Sequence, residues 1–340
     1  METLNRQSNI ELLRILSMLL ILVVHVTYLS LGIPTQDMIN TSPASSFTHL
    51  FFIALSFCAV NVFVLISGYF GIKPTKIKGL YLSFIGLFYP IVIAALYCIF
   101  INSEDINFFR VLYLYPHAGW FLLSYFILFL LSPVLNAFVE QISELGLRNV
   151  IIAFYAFQSV FGWASNSCVE YEDGYSALSF IGLYLLGQYI RRYPESLHIK
   201  KASGHLLFFI GSCLLITIIS YCGIRFYSSP LRMFSYISPL VILSSISLFM
   251  LFTTFSFYSR SVNYVARSTL AVLLIHTNYL ILPHFKQYMV TLYESYNGVL
   301  LILYILISLV SIFMFCVLVD QVRILAWNLV SSKLLCRNKY

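Results

Sequence analysis

NIELLRILSMLLILVVHVTY, residues Asn9–Tyr28, is an apolar run of helical length that carries Glu11, Arg14 and His25. Arg14 and His25 are eleven residues apart. At about 100° per residue this is roughly 20° past three full turns, so both point the same way from one helix. At about 1.5 Å of rise per residue, His25 lies about 16 Å further along the axis than Arg14. With Arg14 at one membrane surface, His25 would then sit near mid-depth. Met18, Ile21 and Tyr28 share the stripe, so it is an apolar face with one imidazole set into it. A histidine at that depth has lost its water shell and either faces a polar cavity or bonds a neighbouring helix. Arg14 by itself could simply snorkel to the headgroups.

Composition fixes the class. Of 340 residues, 60% are hydrophobic, 17% aromatic and only 10% charged, and the mean hydropathy is +0.88. Such a chain is all-α, a polytopic integral membrane protein built as a bundle of about ten transmembrane helices. The first apolar stretch lacks a small-residue cleavage pattern and reads as a retained span. Ten spans are expected near 10–31, 47–70, 80–101, 119–138, 150–163, 176–190, 205–222, 236–257, 269–284 and 298–319, with the fifth and sixth short. If both termini are cytoplasmic, the inner segments collect every Lys and Arg except Arg110, Arg225, Arg232 and Lys286. This positive-inside bias supports an even number of spans and also accounts for the net charge of +7, with no nucleic-acid partner needed. No internal repeat or low-complexity tract stands out, and a single domain covering residues 1–340 is expected. Most of the seven cysteines lie in apolar runs without metal-type spacing, so packed thiols and no bound metal are expected.

Several local features carry two readings. Ser67 and Gly68 are small enough to let helices approach closely. Lys73, Lys76 and Lys78 form a compact cationic stretch that either obeys the positive-inside rule or receives a phosphate-rich ligand. Pro90 and Pro133 fall inside expected spans and should kink them. Trp120 and Phe121 open the fourth span, where an interfacial aromatic belt is a sufficient explanation. His276 lies nine residues past Arg267 and is a second histidine at membrane depth. Asp320 and Arg323, three apart, read as a local ion pair at the inner surface.

These residues resemble the bacterial membrane-bound acyltransferase-3 family, whose hallmark is an arginine and a histidine separated by ten residues in the first span, as Arg14 and His25 are. NVFVLISGYF at 61–70, GWFLLSYFILFLLSP at 119–133, YLLGQYI at 184–190 and STLAVLLIH at 268–276 are similar to four further motifs of that family, in order. The glutamate next to a proline that many members carry after the last span is missing, and Asp320 is the only nearby carboxylate. The extra hydrolase-like domain of some members is not expected here. The resemblance implies transfer of a short acyl group, usually acetyl from acetyl-CoA, to a hydroxyl of a cell-surface glycan or a lipid-linked oligosaccharide, in the bacterial inner membrane.

On that reading His25 is the base that takes the hydroxyl proton during attack on the thioester, an acyl-imidazole being the less favoured variant. Arg14 either pairs with coenzyme A phosphates or holds Glu11. Lys73, Lys76 and Lys78 hold the nucleotide end, and Asn61, Trp120 and His276 contact the acceptor. A lipid-linked sugar flippase or transporter, or a glycan polymerase, would share the basic inner face and the buried histidines. Transporters commonly add two similar halves with broken helices, and a polymerase a long outer loop; neither is evident.

Overall fold

The computed structural model describes residues 7–101, 106–112, 119–196 and 201–337. Among the described residues every regular element is a helix. The longer ones are α1 (Ser8–Val24), continued by a π-helical turn (His25–Ser30), α2 (Pro43–Phe57), α3 (Ala59–Phe70), α4 (Lys76–Ile101), α5 (Trp120–Gln141), α6 (Glu144–Phe157), α7 (Ala177–Arg192), α8 (Ala202–Tyr227), α9 (Pro239–Thr253), α10 (Thr269–His276), α11 (Leu282–Ser295) and α12 (Gly298–Arg337).

Seven helical segments among the described residues are long and apolar enough to cross a bilayer: Ser8–Ser30, Pro43–Phe70, Lys76–Ile101, Trp120–Gln141, Glu144–Ala164, Ala202–Tyr227 and Gly298–Ser332. The protein is a polytopic all-α membrane protein. Three of the ten expected spans take another form. The sixth and eighth become α7 and α9, with 16 and 15 residues, about 24 and 23 Å by rise and short of a hydrocarbon core roughly 30 Å thick. The ninth is divided into α10 and α11. The Asn278 side chain accepts from Leu280 N at 3.0 Å, and Pro283, at the start of α11, has no N–H to carry α10 onward.

The helices run through Pro90 and Pro133 without ending. Pro133 frees the carbonyl of Phe129 four residues earlier, and the hydroxyl of buried Ser132 donates to that same carbonyl at 2.7 Å.

The chain forms two compact units, each from separated stretches: residues up to Pro74 with Leu123–Asn263, and Thr75–Leu122 with the chain from Tyr264 on. In the first unit, α3 and α7 cross at small residues. A Cβ on Gly68 would collide with the Tyr184 carbonyl oxygen, and one on Gly187 would come within 2.6 Å of the Leu65 carbonyl, so only glycine allows these backbones to meet. Helix α1 packs on α2, α3 and α9. Its first turn is buried and polar: Ser8 donates to Asn263 Oδ1 at 2.9 Å and accepts from Ser259 N at 2.9 Å, while Asn9 Nδ2 donates to the Phe252 carbonyl at 2.8 Å.

In the second unit, α10 packs on α4 and α12. Asp320 and Arg323 do pair as the sequence suggests, but they are buried, at 0% and 3% exposure. Arg323 grips the carboxylate with Nε to Oδ1 and Nη2 to Oδ2, both 2.7 Å, and its Nη1 donates to the Tyr81 hydroxyl at 2.6 Å. The Tyr89 hydroxyl donates to Asp320 as well. Two tyrosines of α4 therefore complete an ion pair of α12.

Two outcomes test this packing by thermal unfolding in detergent. Gly68→Leu is expected to lose at least about 1–3 kcal/mol through overpacking, whereas Gly211→Ala, on α8 with open space around it, is expected to be neutral. Asp320→Ala leaves a buried unpaired guanidinium and is expected to cost about 3–5 kcal/mol, more than the paired replacement Asp320→Leu with Arg323→Met.

Candidate active site

Arg14 and His25 lie on one face of α1, and that helix changes geometry at the histidine. The π-helical turn begins at His25, with Leu31 N bonding the Val26 carbonyl at 3.0 Å and Ser30 Oγ bonding the His25 carbonyl at 2.7 Å. Wide turns of this kind recur at functional sites. The turn is held from outside α1: His49 Nε2, on α2, lies 2.8 Å from the Thr27 carbonyl. A carbonyl only accepts, so this nitrogen carries the proton.

At the other end of the stripe, Arg14 Nη1 donates to Glu11 Oε1 at 3.0 Å. The carboxylate is nearly buried at 8% side-chain exposure and the guanidinium is 31% exposed. Glu11 Oε2 has no hydrogen-bond partner among the described residues. The pair is thus one-sided, with a cation facing outward and a carboxylate behind it. Between Arg14 and His25, Met18 and Ile21 are buried at 1% and 2%, so the stripe is polar at its two ends and dry in the middle.

Asn61 is 2% exposed, and its Nδ2 donates to the Tyr236 carbonyl at 2.8 Å. It ties α3 to the 228–238 segment. That segment meets the His25 end of α1 through rings: Phe57 lies 5.3 Å from Tyr28 and 4.8 Å from Tyr236, and Tyr175 packs on Tyr236 at 5.1 Å. Nearby, Asp173 and Arg232 form an ion pair, and both sit on left-handed backbone, with φ of 54° and 55°, a conformation non-glycine residues adopt at a cost. Burial pushes the Tyr175 phenol up to about 12, so it is a neutral hydroxyl at physiological pH. In the segment before Asp173, Cys168 donates to Glu170 Oε2 at 3.1 Å, and this carboxylate holds the thiol above its ordinary value.

Lys73, Lys76 and Lys78 are all exposed. The approach to Lys73 is fixed by a polar network that the sequence reading missed. Tyr184 accepts from Ile72 N at 2.9 Å and donates to Asn136 Oδ1 at 2.7 Å, while Asn136 Nδ2 donates to the Ile72 carbonyl at 2.8 Å. Gln188 Nε2 bonds Asn136 Oδ1 at 3.3 Å. Both backbone groups of Ile72 are held by side chains from α5 and α7, and Gly71, at φ +72°, makes the turn that allows it. YLLGQYI was legible as a family-like motif; the polar face formed by Tyr184 and Gln188, four apart, was the available signal.

In the second unit, His276 ends α10 and is 1% exposed. Its Nδ1 lies 2.6 Å from the Val272 carbonyl and its ring packs 5.8 Å from Phe285. Trp120 opens α5, half-buried, with its ring edge-on to Phe121 at 5.9 Å. No group of three His, Cys, Asp or Glu side chains among the described residues could hold a metal ion.

Residues 7–320 match the acyltransferase-3 family, described as an acyltransferase domain. The chain belongs to that family. It is therefore an acyltransferase, and the match spans both compact units. No curated protein and no solved structure matches the chain. In an acyltransferase, the end of α1 that carries an imidazole on a widened turn is where a nucleophile's proton can be taken, and the Arg14 end is where an anion can be held.

The π-turn gives a direct check. His49→Phe removes the donor to the Thr27 carbonyl while keeping a ring in place, and turnover is expected to fall about tenfold with the KM for acyl donor unchanged, measured at equal membrane abundance.

Proposed function

We propose that this acyltransferase transfers acetyl from acetyl-CoA to a hydroxyl of a cell-surface glycan or its lipid-linked precursor, as one catalytic domain in the bacterial inner membrane with both termini cytoplasmic. The observation that carries the proposal is the α1 stripe: a half-buried imidazole on a π-turn, and about 16 Å away by helical rise a carboxylate-backed guanidinium. The separation divides the work. One residue can meet the reacting carbonyl and the other cannot, so His25 acts in the chemistry and Arg14 acts on a distant, anionic part of the donor.

His25 takes the proton from the acceptor hydroxyl as its oxygen attacks the thioester carbonyl. Collapse of the tetrahedral intermediate forms the ester, breaks the C–S bond and returns the proton to the departing coenzyme A sulfur. Glu11 orients Arg14, and Arg14 with Lys73, Lys76 and Lys78 draws in the phosphates. Asn61 contributes on the acceptor side through the Tyr236 segment it fastens, and Trp120 and His276 are the acceptor contacts proposed from the second unit. The inner face is assigned by its Lys and Arg, which is the side where coenzyme A is found.

The test is release of coenzyme A thiol by purified protein given acetyl-CoA and a lipid-linked glycan acceptor. Natural protein is expected to release thiol in step with acetylated product. His25→Ala is expected to lose at least about a thousandfold in kcat, the scale of a missing general base. Neutralising Lys73, Lys76 and Lys78 together is expected to raise the KM for acetyl-CoA about tenfold at low salt and less at high salt. Acceptor movement across the membrane without thiol release would instead mark a flippase.

A further inference from the structure

In the first unit a cavity of about 490 Å³ is lined by Gln7, Asn9, Tyr69, Phe255, Phe257 and Tyr258, among others. Its size lies within the range of small-molecule sites. Its walls are pinned to the catalytic helix: Ser8 and Asn9, both buried, bond Asn263 and Ser259 in the segment that follows α9 and Phe252 in the last turn of α9 itself. The cavity is therefore built around the first turn of α1 and moves with it.

The lining has a consistent chemistry. Phe255 and Phe257 present nearly parallel rings, 12° apart in plane and 6.3 Å between centroids, and such flat aromatic surface stacks nucleobases without regard to sequence. The Arg191 guanidinium lies 5.0 Å over the Tyr69 ring, placing a cation at the rim. Lys73 follows Tyr69 by four residues and Arg260 follows Tyr258 by two, and both are exposed. Gln7 occupies the N-cap position of α1 but makes no capping hydrogen bond with its side chain, and amides of this type pair with the exocyclic amine and ring nitrogen of adenine. Aromatic faces, an amide, a guanidinium stacked on one lining ring and two exposed cations close in sequence to others together match a purine nucleotide carrying several phosphates.

We propose that this cavity binds the adenine nucleotide end of the acyl-coenzyme A donor. The assignment rests on the acyl-coenzyme A reading above and gives that donor a place. Asn9 and His25 are sixteen residues apart on one helical axis, about 24 Å by rise. Coenzyme A is elongated, with its nucleotide at one end and its thioester at the other. With the adenine beside Tyr69, the diphosphate reaches Arg14 and the pantetheine arm runs on along the α1 stripe to bring the carbonyl to His25. Arg14 then meets the donor between its two ends.

The competing account of Phe255, Phe257 and Tyr258, which are 41%, 39% and 66% exposed, is an aromatic belt at the headgroup boundary that binds no nucleotide. Full-length protein in lipid nanodiscs separates the two. The first measurement is direct binding of the adenosine bisphosphate fragment of coenzyme A to natural protein, Phe257→Leu and Arg191→Gln. The second is the ratio of kcat/KM for acetyl-CoA to that for acetyl-pantetheine, which lacks the nucleotide. Natural protein is expected to bind the fragment, each variant to bind it on the order of tenfold more weakly, and the ratio to fall by a similar factor. An unchanged ratio and unchanged fragment binding in the variants would overturn the nucleotide site while leaving acetyl transfer standing. Equal losses with both donors would also overturn it, since the residues would then support the fold alone. Fragment binding without any acyl transfer would keep the nucleotide site and remove the acetyl-CoA reading.

Discussion

Helix α1 is tied at both ends by hydrogen bonds to other elements, and the rest of the site depends on that restraint. At its first turn Ser8 fastens it to the segment after α9 and Asn9 to the last turn of α9. Near its far end His49 fastens the Thr27 carbonyl within the π-turn. Ser8 and Asn9 are buried, so losing either partner leaves a polar group unsatisfied and costs more than it would at a wet surface. A helix restrained in this way keeps Arg14 and His25 at a fixed separation and on a fixed face. The proposed chemistry at His25 and the proposed anchoring at Arg14 would then lie at two ends of one rigid ruler, which suits a donor whose charged part and reactive part are far apart.

The class, the α1 stripe and the family were legible in the sequence because each rests on local pattern. Hydropathy reports long apolar helices directly, a spacing of eleven residues returns to the same helical face, and the ordered motifs are contiguous strings. What was not legible depends on partners distant in the chain. His49 meets Thr27 across 22 residues, Arg232 meets Asp173 across 59, and Tyr184 meets Ile72 across 112. No periodicity encodes such pairings. Gly68 was readable as a close-approach residue, but its counterpart Gly187 gained meaning only once α3 and α7 were seen to cross. Asn61 was legible as part of a motif, while the Tyr236 carbonyl that its amide bonds, 175 residues on, was not.

The expected spans that take another form are those where an apolar run is interrupted or cut short. Helices α7 and α9 are apolar yet too short, α7 because Arg191 and Arg192 end it and α9 because Pro239 begins it late. The run containing His276 is broken by Asn278 and Pro283. Hydropathy averages over such interruptions. Burial of the Asp320–Arg323 pair was equally hidden, because the tyrosines that make it tolerable, Tyr81 and Tyr89, come from α4, more than two hundred residues earlier. A charged pair with its remaining valences filled by hydroxyls can sit where a bare pair could not.

The central claim is that His25, at depth on α1, performs acyl transfer onto a surface glycan. The most direct measurement is mass analysis of surface polysaccharide from cells lacking this gene and complemented either with the natural sequence or with His25→Ala at equal membrane abundance. The account requires one acetyl mass per modified repeat with the natural sequence and none with the variant. Acetylation that persists with His25→Ala, or a polysaccharide changed in amount or length but never in repeat mass, would contradict it.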